Sequence, residues 1–262
     1  MHGRRLFGSL VLAVLALGAS VGGEIVVGPL TIELPVAPAQ TASGAFHVRN
    51  SGEKAEEVRV SAFGYSLYPD GGLNLEAPAR SLAPLLEIFP AQFALAPGES
   101  TTVTLRFQAP EEPGDHWAIL FVEGSEATPV VETSGEISAA VQVKVRYGVK
   151  LIQRDPSAAR AGEITDMTVV SNDPIRVLVR FANTGGSVLR KATGRVEVRG
   201  VTGEVLVTVD LPEFTVLPGA WRDLTIDLPV EDLPRPGDYL ALCLIDFGGD
   251  YLVAGELELS LR

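Results

Sequence analysis

The residues best suited to chemistry are two histidines, His47 and His116, which lie far apart in the chain. Neither has a second histidine or a cysteine at the short spacing typical of metal ligands. The sequence also contains neither a Gly-x-Ser-x-Gly nucleophile motif nor a glycine-rich phosphate-binding loop. We therefore expect no catalytic residues, no metal and no cofactor, and we interpret His116 as a turn residue at the entry to a strand.

Two clusters of carboxylates could bind calcium, which takes six or more oxygen ligands. They are Asp246-Phe-Gly-Gly-Asp250 and the pair Glu111-Glu112 followed by Asp115. Neither follows the ligand spacing of an EF-hand loop. The first cluster is more simply a hairpin turn between two strands, because glycine tolerates the backbone angles of a tight turn. The sequence therefore predicts no calcium site.

The longest regular alternation of apolar and polar residues lies between residues 141 and 151. Because successive side chains of a strand point to opposite faces, this pattern predicts a single strand with one apolar and one solvated face. The apolar face packs either on the core of its own sheet or on a partner protein. The residues concerned are Val141, Val143, Val145, Tyr147 and Val149 on the apolar face, and Lys144, Arg146 and Lys150 on the polar face.

Three landmarks occur twice in the same order, which indicates two copies of one module. They are Asn50-Ser-Gly52, Pro97-Gly98 and Gly114-Asp115, then Asn183-Thr-Gly185, Pro218-Gly219 and Gly237-Asp238. About seven short strands per module, separated by regular turns, are typical of an antiparallel β-sandwich of immunoglobulin type. The predicted fold is all-β, with immunoglobulin-like domains at 24–154 and 163–262 joined by a linker at 155–162.

The first 23 residues have the pattern of a secretory signal peptide, the alternative being a retained N-terminal anchor. Arg4 and Arg5 precede the uncharged apolar run from Leu6 to Leu17, and small residues follow. This predicts a periplasmic or extracellular mature chain without an integral membrane segment. The net charge of -12 argues against nucleic acid as a partner. The single cysteine, Cys243, lies in an apolar run and is predicted to be buried.

The first module is longer than the second between the Asn-x-Gly and Pro-Gly landmarks. The extra residues lie within Tyr65 to Pro90, a segment with four prolines and an apolar patch at 82–89. Loops of this kind often carry function. The segment either covers an edge of the sandwich or contributes to partner binding.

The segment from Phe93 to Phe121 resembles the PapD-like domain of periplasmic pilus-assembly chaperones. It contains Phe-x-Leu-x-Pro-Gly-Glu-Ser, an alternating Val-x-Leu-x-Phe strand, a proline-bounded turn, and Gly114-Asp115 before an apolar strand. It is also similar to the N-terminal module of WxL-interacting proteins of the bacterial cell surface. Both families have two immunoglobulin-like domains behind a signal peptide.

The resemblance implies a non-catalytic protein that binds secreted or surface protein subunits by β-strand addition, in which a strand of the partner extends a sheet. In the pilus chaperones the last strand of the first domain offers alternating apolar side chains to the subunit. In this chain that strand corresponds to residues 141–151. The alternative is a structural or adhesive protein of the cell envelope, in which the two sandwiches act as spacers and binding modules.

The pilus chaperones also hold the terminal carboxylate of the subunit with an arginine of the first strand and a lysine of the last. The resemblance implies that Lys144, Arg146 or Lys150 fills the second role. The first strand, at 24–35, contains no lysine or arginine. This departure from the family pattern leaves the first cation of the carboxylate anchor unassigned.

Overall fold

The computed structural model describes residues 25–124, 128–134, 137–143, 145–231 and 233–262, with the strands at 128–134 and 137–143 described by their backbone. The predicted signal peptide and Lys144 lie outside these residues. The described chain forms twenty strands and one short 3-10 helix, Ala83–Leu85. The predicted all-β fold class is therefore confirmed.

The first module is a sandwich of a four-stranded sheet (β1-β3-β9-β7) and a five-stranded sheet (β2-β13-β10-β4-β8), with β5 and β6 paired separately, as are β11 and β12. Buried side chains from both large sheets, among them Phe46 and Leu120, form its core. The strands are β1 (Ile25–Gly28), β2 (Thr31–Pro35), β3 (Thr41–Asn50), β4 (Glu56–Phe63), β5 (Ser66–Leu67), β6 (Leu73–Asn74), β7 (Glu87–Phe89), β8 (Gln92–Leu95), β9 (Ser100–Gln108), β10 (His116–Gly124), β11 (Thr128–Ser134), β12 (Ile137–Val143) and β13 (Arg146–Arg154).

The second module is a sandwich of a three-stranded sheet (β14-β15-β18) and a four-stranded sheet (β17-β16-β19-β20). Phe181, Val196 and Cys243 are among the fully buried residues of its core, so the predicted burial of the cysteine is confirmed. The strands are β14 (Gly162–Asn172), β15 (Ile175–Asn183), β16 (Leu189–Arg199), β17 (Val205–Val216), β18 (Trp221–Asp227), β19 (Gly237–Asp246) and β20 (Val253–Leu261).

The internal repeat extends to individual hydrogen bonds at the two buried asparagines. The Nδ2 of Asn50 donates to the carbonyl of Leu95 at 3.0 Å, and the Nδ2 of Asn183 donates to the carbonyl of Val216 at 3.0 Å. In each module the acceptor lies two residues before the proline of the Pro-Gly pair. The glycine of that pair has a positive φ, 78° at Gly98 and 73° at Gly219, which favours glycine. Each asparagine therefore fastens its own turn to the strand that precedes the Pro-Gly pair.

The N-terminal strand of the first module changes sheets. β1 pairs antiparallel with β3 of the four-stranded sheet, whereas β2 pairs in parallel with β13 of the five-stranded sheet. Pro29, which has no backbone N–H, lies between them after a cis peptide bond. The sequence predicts a single first strand at 24–35, but the change of partner divides it and places β2 beside β13.

The alternating segment 141–151 forms parts of two strands, β12 and β13, and not the single strand that its pattern predicts. β13 pairs with β10, with Glu123 opposite Arg146. Regular continuation of that ladder would set Thr128 opposite Val141, but Thr128 lies opposite Val143. Between the pairs Glu123–Arg146 and Thr128–Val143, four residues (124–127) therefore lie on one side of the ladder and two (144–145) on the other. This register shift interrupts the ladder, and Val145 lies between the two strands.

An apolar cluster joins the two modules. Trp117 and Ile152 of the first module pack with Val188 and Leu217 of the second, and Tyr65 belongs to the same cluster. All five are at most 2 % exposed. A packed apolar contact of this kind opposes relative motion of two domains.

The segment from Tyr65 to Pro90 also contacts the second module. The carbonyl oxygen of Pro69 accepts hydrogen bonds from the backbone N–H of Asp223 at 2.8 Å and from Nη1 of Arg222 at 3.3 Å. Further along, β7 pairs with β9 and forms an edge of the four-stranded sheet. The extra residues of the first module therefore both extend a sheet edge and brace the junction of the modules.

Candidate partner-binding edge and interdomain cleft

One side of β13 has a partner strand along only part of its length. β10 pairs with residues 146–153 on one side, whereas β2 pairs on the other side only from Lys150 to Arg154. The N–H of Lys150 donates to the carbonyl of Leu30, so the backbone groups of Lys150 face the side of β2 and not the side of β10. Because backbone groups alternate in direction along a strand, those of Arg146 and Gly148 point to the same side, beyond the end of β2. Among the described residues, this stretch of edge has no strand against it.

The apolar residues predicted to bind a partner lie in different environments. Val149 is fully buried in the core of its own sandwich, which is one of the two placements that the sequence leaves open. Tyr147 is half-buried against the same core, and Val145 is half-buried between the strands. Val141 and Val143 belong to β12. Val149 therefore packs in the core beneath the edge. Val145 and Tyr147 are only half-buried, and Val145 lies farther from the end of β2.

A second apolar surface lies on the opposite face of β10 and β13. Ile119 and Phe121 lie on this face, and the ring of Phe121 is 5.4 Å from that of Phe63, which is 42 % exposed. The guanidinium of Arg146 lies 4.6 Å from the centre of the Phe121 ring, a cation–π contact. A Cβ at Gly148 would lie 2.9 Å from Cδ1 of Ile119, so a glycine at this position leaves room for that side chain.

The sequence does not identify this surface, because the run from Trp117 to Val122 predicts only a strand buried on both faces. That prediction is correct, since His116 to Val122 are all buried. The rings that cover the outer face come from Tyr65 and Phe63, which lie far away in the sequence. Spacing along the chain therefore gives no signal for the cluster.

The cations predicted to hold a carboxylate have separate positions and partners. Arg146 forms an ion pair with Glu123 and covers Phe121. Lys150 is exposed as a residue, but its ammonium group is partly shielded from water. This burial lowers the pKa of the ammonium group, and the positive charge of Arg190 lowers it further. Lys144 lies outside the described residues. Arg190, whose charge contributes to this shift, lies on β16 of the second module.

Arg190 belongs to a basic cleft between the modules. A pocket of about 420 Å³ is lined by Glu33 and by four cations and one hydroxyl, which come from both modules and the segment that joins them. Glu33 forms ion pairs with Arg190 and, at 2.6 Å, with Arg154. The remaining lining residues are Arg160, Ser187 and Lys191. Positive charge therefore collects in this cleft, although the chain as a whole carries a net charge of -12.

Among the described residues, no three or more His, Cys, Asp or Glu side chains come together as potential metal ligands. Asp115 instead forms an ion pair with Arg154 at 2.7 Å. The Oδ1 of Asp246 accepts a hydrogen bond from the N–H of Gly248 at 2.8 Å, and Gly248 has a φ of 73°, as in a tight turn. The cluster from Asp246 to Asp250 thus leads from β19 into the loop before β20, in agreement with the predicted hairpin turn.

The two histidines lie apart. His116 is buried, its Nδ1 lies 3.0 Å from the carbonyl oxygen of Gly114, and it opens β10. His47 is exposed, with Nδ1 3.0 Å from Oγ1 of Thr102 on the neighbouring strand.

Along the described parts of the chain, no helix has the length and apolar character needed to cross a membrane.

Comparison with known proteins finds similarity of fold. No protein-family model and no curated protein matches the sequence. Solved structures do: a chain of a chaperone–tip adhesin complex of CFA/I fimbriae biogenesis has a TM-score of 0.49 and 9% identity over 91% of this chain and 99% of that one. The class 5 fimbriae chaperone CfaA has a TM-score of 0.47 and 10% identity over the same shares. The E. coli chaperone DraB has a TM-score of 0.43 and 17% identity over 91% of this chain and 96% of its own. The solved structures to which this chain is similar in fold thus include those of fimbrial chaperones.

Proposed function

We propose that the chain binds a secreted polypeptide by β-strand addition along β13 and β12, and that it acts as a periplasmic chaperone for surface or pilus subunits. The observation that carries this proposal is the edge of β13 beyond the end of β2, where the backbone groups of Arg146 and Gly148 face outward. An added strand would gain main-chain hydrogen bonds there, with side-chain contacts setting its register. The exposed ring of Phe63 provides apolar surface on the same sheet.

The proposal includes an anchor for the terminal carboxylate of the bound polypeptide. Lys150 lies at the end of the open edge, and Arg190, whose positive charge acts on Lys150, lines the basic cleft. These two cations replace the pair that the resemblance implies, because the first strand has no basic residue. A hydrogen bond to a charged group contributes about 1.5–3 kcal/mol. Loss of one cation is therefore expected to weaken binding about 10- to 100-fold.

The strand-addition part is tested with a labelled peptide of alternating valine and threonine residues, whose binding is followed by fluorescence anisotropy. Val145→Asp places a carboxylate beside the open edge and is expected to abolish binding. Phe89→Asp is the matched control, because Phe89 is 78 % exposed on an edge strand of the other sheet. Equal binding by Val145→Asp and the wild type would contradict strand addition at this edge.

The anchor is tested separately by comparing the same peptide with a free and with an amidated C-terminus. The wild type is expected to prefer the free carboxylate, and Lys150→Ala and Arg190→Ala are expected to lose this preference while they still bind the amidated peptide. Arg176→Ala is the control, because Arg176 pairs with Asp227 away from the cleft. No preference in the wild type would remove the anchor and leave strand addition standing. If no peptide binds and the protein is found in a wall or filament fraction, the structural alternative holds.

A further inference from the structure

A carboxylate of the protein itself already occupies the basic cleft. Glu33 lies on β2, and each of its two carboxylate oxygens contacts a different guanidinium. Oε2 accepts a hydrogen bond from Nε of Arg154 at 2.6 Å, and Oε1 accepts one from Nη1 of Arg190. Arg154 belongs to the first module and Arg190 to the second, so this one carboxylate bridges the two modules. Glu33 thus receives the charged hydrogen bonds that a carboxylate ligand would receive in the same cleft.

The two arginines differ in how much they depend on Glu33. Arg154 also donates to the buried carboxylate of Asp115 at 2.7 Å and to the carbonyl of Val188 at 2.6 Å. Glu33 is the one acidic residue that lines the pocket, and no other carboxylate of the described residues forms an ion pair with Arg190. A ligand carboxylate that binds Arg190 therefore competes with Glu33, whereas Arg154 keeps its other acceptors.

A bulge in β16 directs Arg190 and Lys191 to the same pocket. The register shifts between Leu189 and Ala192, where two residues of β16 lie opposite one residue of β17. Lys191 has a φ of 57°, a left-handed conformation that is uncommon for a residue with a side chain. Consecutive side chains of a regular strand point to opposite faces, but both of these side chains line the cleft. The backbone of β16 is therefore shaped to bring positive charge to the carboxylate of Glu33.

We infer, on the basis of the proposed anchor at Lys150 and Arg190, that Glu33 is an internal competitor, which holds Arg190 until the terminal carboxylate of a bound polypeptide displaces it. Two carboxylates in one cleft repel each other, so Glu33 opposes a charged end more than a neutral one. Release of Arg190 from Glu33 offsets part of the affinity that the anchor would otherwise give. The wild type is therefore expected to hold a terminal carboxylate less tightly than the same cleft without the charge of Glu33.

The competition is tested with the same labelled peptide in its free-acid and amidated forms. Glu33→Gln keeps the size of the side chain and an acceptor oxygen for Arg154, but removes the negative charge. It is expected to bind the free acid about three- to tenfold more tightly than the wild type, the range between an exposed ion pair and a charged hydrogen bond. Binding of the amidated peptide is expected to change less than about twofold, because a neutral end meets no repulsion from Glu33.

Asp227→Asn is the matched control for the change in net charge. Asp227 also pairs with an arginine, Arg176, but away from the cleft, so its loss is expected to leave both affinities unchanged. Circular dichroism and denaturant unfolding verify that both variants fold. In an Arg190→Ala background, Glu33→Gln is expected to lose most of its effect, because the guanidinium for which the two carboxylates compete is gone.

The outcomes separate the competition from the anchor on which it rests. If neither the wild type nor Glu33→Gln prefers the free acid, the anchor is absent and the competition falls with it. If the wild type prefers the free acid and Glu33→Gln leaves that preference unchanged, the anchor stands and the competition alone is overturned. A weaker preference in Glu33→Gln also overturns it, because Glu33 then positions Arg190 for the ligand. A preference that is stronger in Glu33→Gln, or appears only there, supports the inference.

Discussion

Asp115 is predicted to hold the two modules together. Its carboxylate is fully buried and accepts hydrogen bonds from Nη1 of Arg154 at 2.7 Å and from the N–H of Asp155 at 2.9 Å. From the second module it accepts bonds from Oγ of Ser187 at 3.1 Å and from the N–H of Val188 at 2.7 Å. One side chain therefore connects the end of the first module to the start of β16.

We expect Asp115→Ala to cost about 3–5 kcal/mol, the range measured when one partner of a buried ion pair is removed. The backbone N–H groups of Asp155 and Val188 would lose a buried acceptor, at about 1–3 kcal/mol each. Arg154 loses less, because it retains Glu33 and the carbonyl of Val188. For a chain of this size the loss corresponds to a fall in Tm of about 10 °C.

The assay is denaturant unfolding followed by tryptophan fluorescence and circular dichroism. Trp117 lies in the apolar cluster between the modules, and Trp221 lies in the second module, 44 % exposed. The wild type is expected to unfold in one transition, and Asp115→Ala in two, because the modules lose a contact that couples them.

The internal repeat supplies the control for this experiment. Asp238 occupies the position in the second Gly-Asp pair that Asp115 occupies in the first, but it is exposed and accepts a bond from Oγ of Ser260 at 2.8 Å. Asp238→Ala is expected to cost less than about 1 kcal/mol. Equal losses for the two substitutions would refute the reasoning from burial and from the interdomain contacts.

Three further predictions concern other buried groups. Burial raises the pKa of the Cys243 thiol to about 12, so this thiol should resist Ellman's reagent at pH 8 in the native protein and react after unfolding. Burial alone would raise the pKa of Asp155, but hydrogen bonds from Gly114 and Ser157 outweigh it and hold the pKa below the ordinary 3.8. The resulting stabilisation is present above 3.8 and is lost as the pH falls through the lower folded value, so the difference in Tm between the wild type and Asp155→Asn should shrink in acid. Asn183→Ala removes the Nδ2 donor to the buried carbonyls of Ser187 and Val216 and should cost about 2–5 kcal/mol in denaturant unfolding, and a loss below about 1 kcal/mol would contradict that role.

The fold could be predicted because its landmarks depend on local chemistry. A Pro-Gly pair needs a positive φ at the glycine, and Gly98 and Gly219 both have one. Apolar residues that alternate along a strand mark its buried face, as at β15, where Val177, Val179 and Phe181 are buried. The division of 141–151 could not be predicted, because it depends on the opposite side of the ladder. Between the pairs Glu123–Arg146 and Thr128–Val143, that side has two residues more than the side of 141–151.

The candidate site could be predicted less well, because it depends on contacts between distant residues. Alternation locates β13, but only the pairing of β2 shows where the edge becomes open. Asp115 and Asp238 occupy equivalent positions in the repeat, yet one is buried and the other exposed. The groups that bind Asp115 are distant in the sequence, from Arg154 and Asp155 at the end of the first module to Ser187 and Val188 of the second. For the same reason, no spacing in the sequence links Lys150 with Arg190.

The buried ion pair and the proposed anchor are connected through β16. Val188, whose N–H donates to Asp115, lies two residues before Arg190. Loss of the Asp115 carboxylate would free this segment and weaken the constraint on Arg190, which would retain its ion pair with Glu33. Asp115→Ala is therefore expected to reduce the preference for a free peptide carboxylate, while binding of the amidated peptide at the distant open edge is retained. If both peptides lose affinity equally, Asp115 supports the whole first module and not the position of Arg190. If the preference is unchanged, the anchor does not require a fixed junction between the modules.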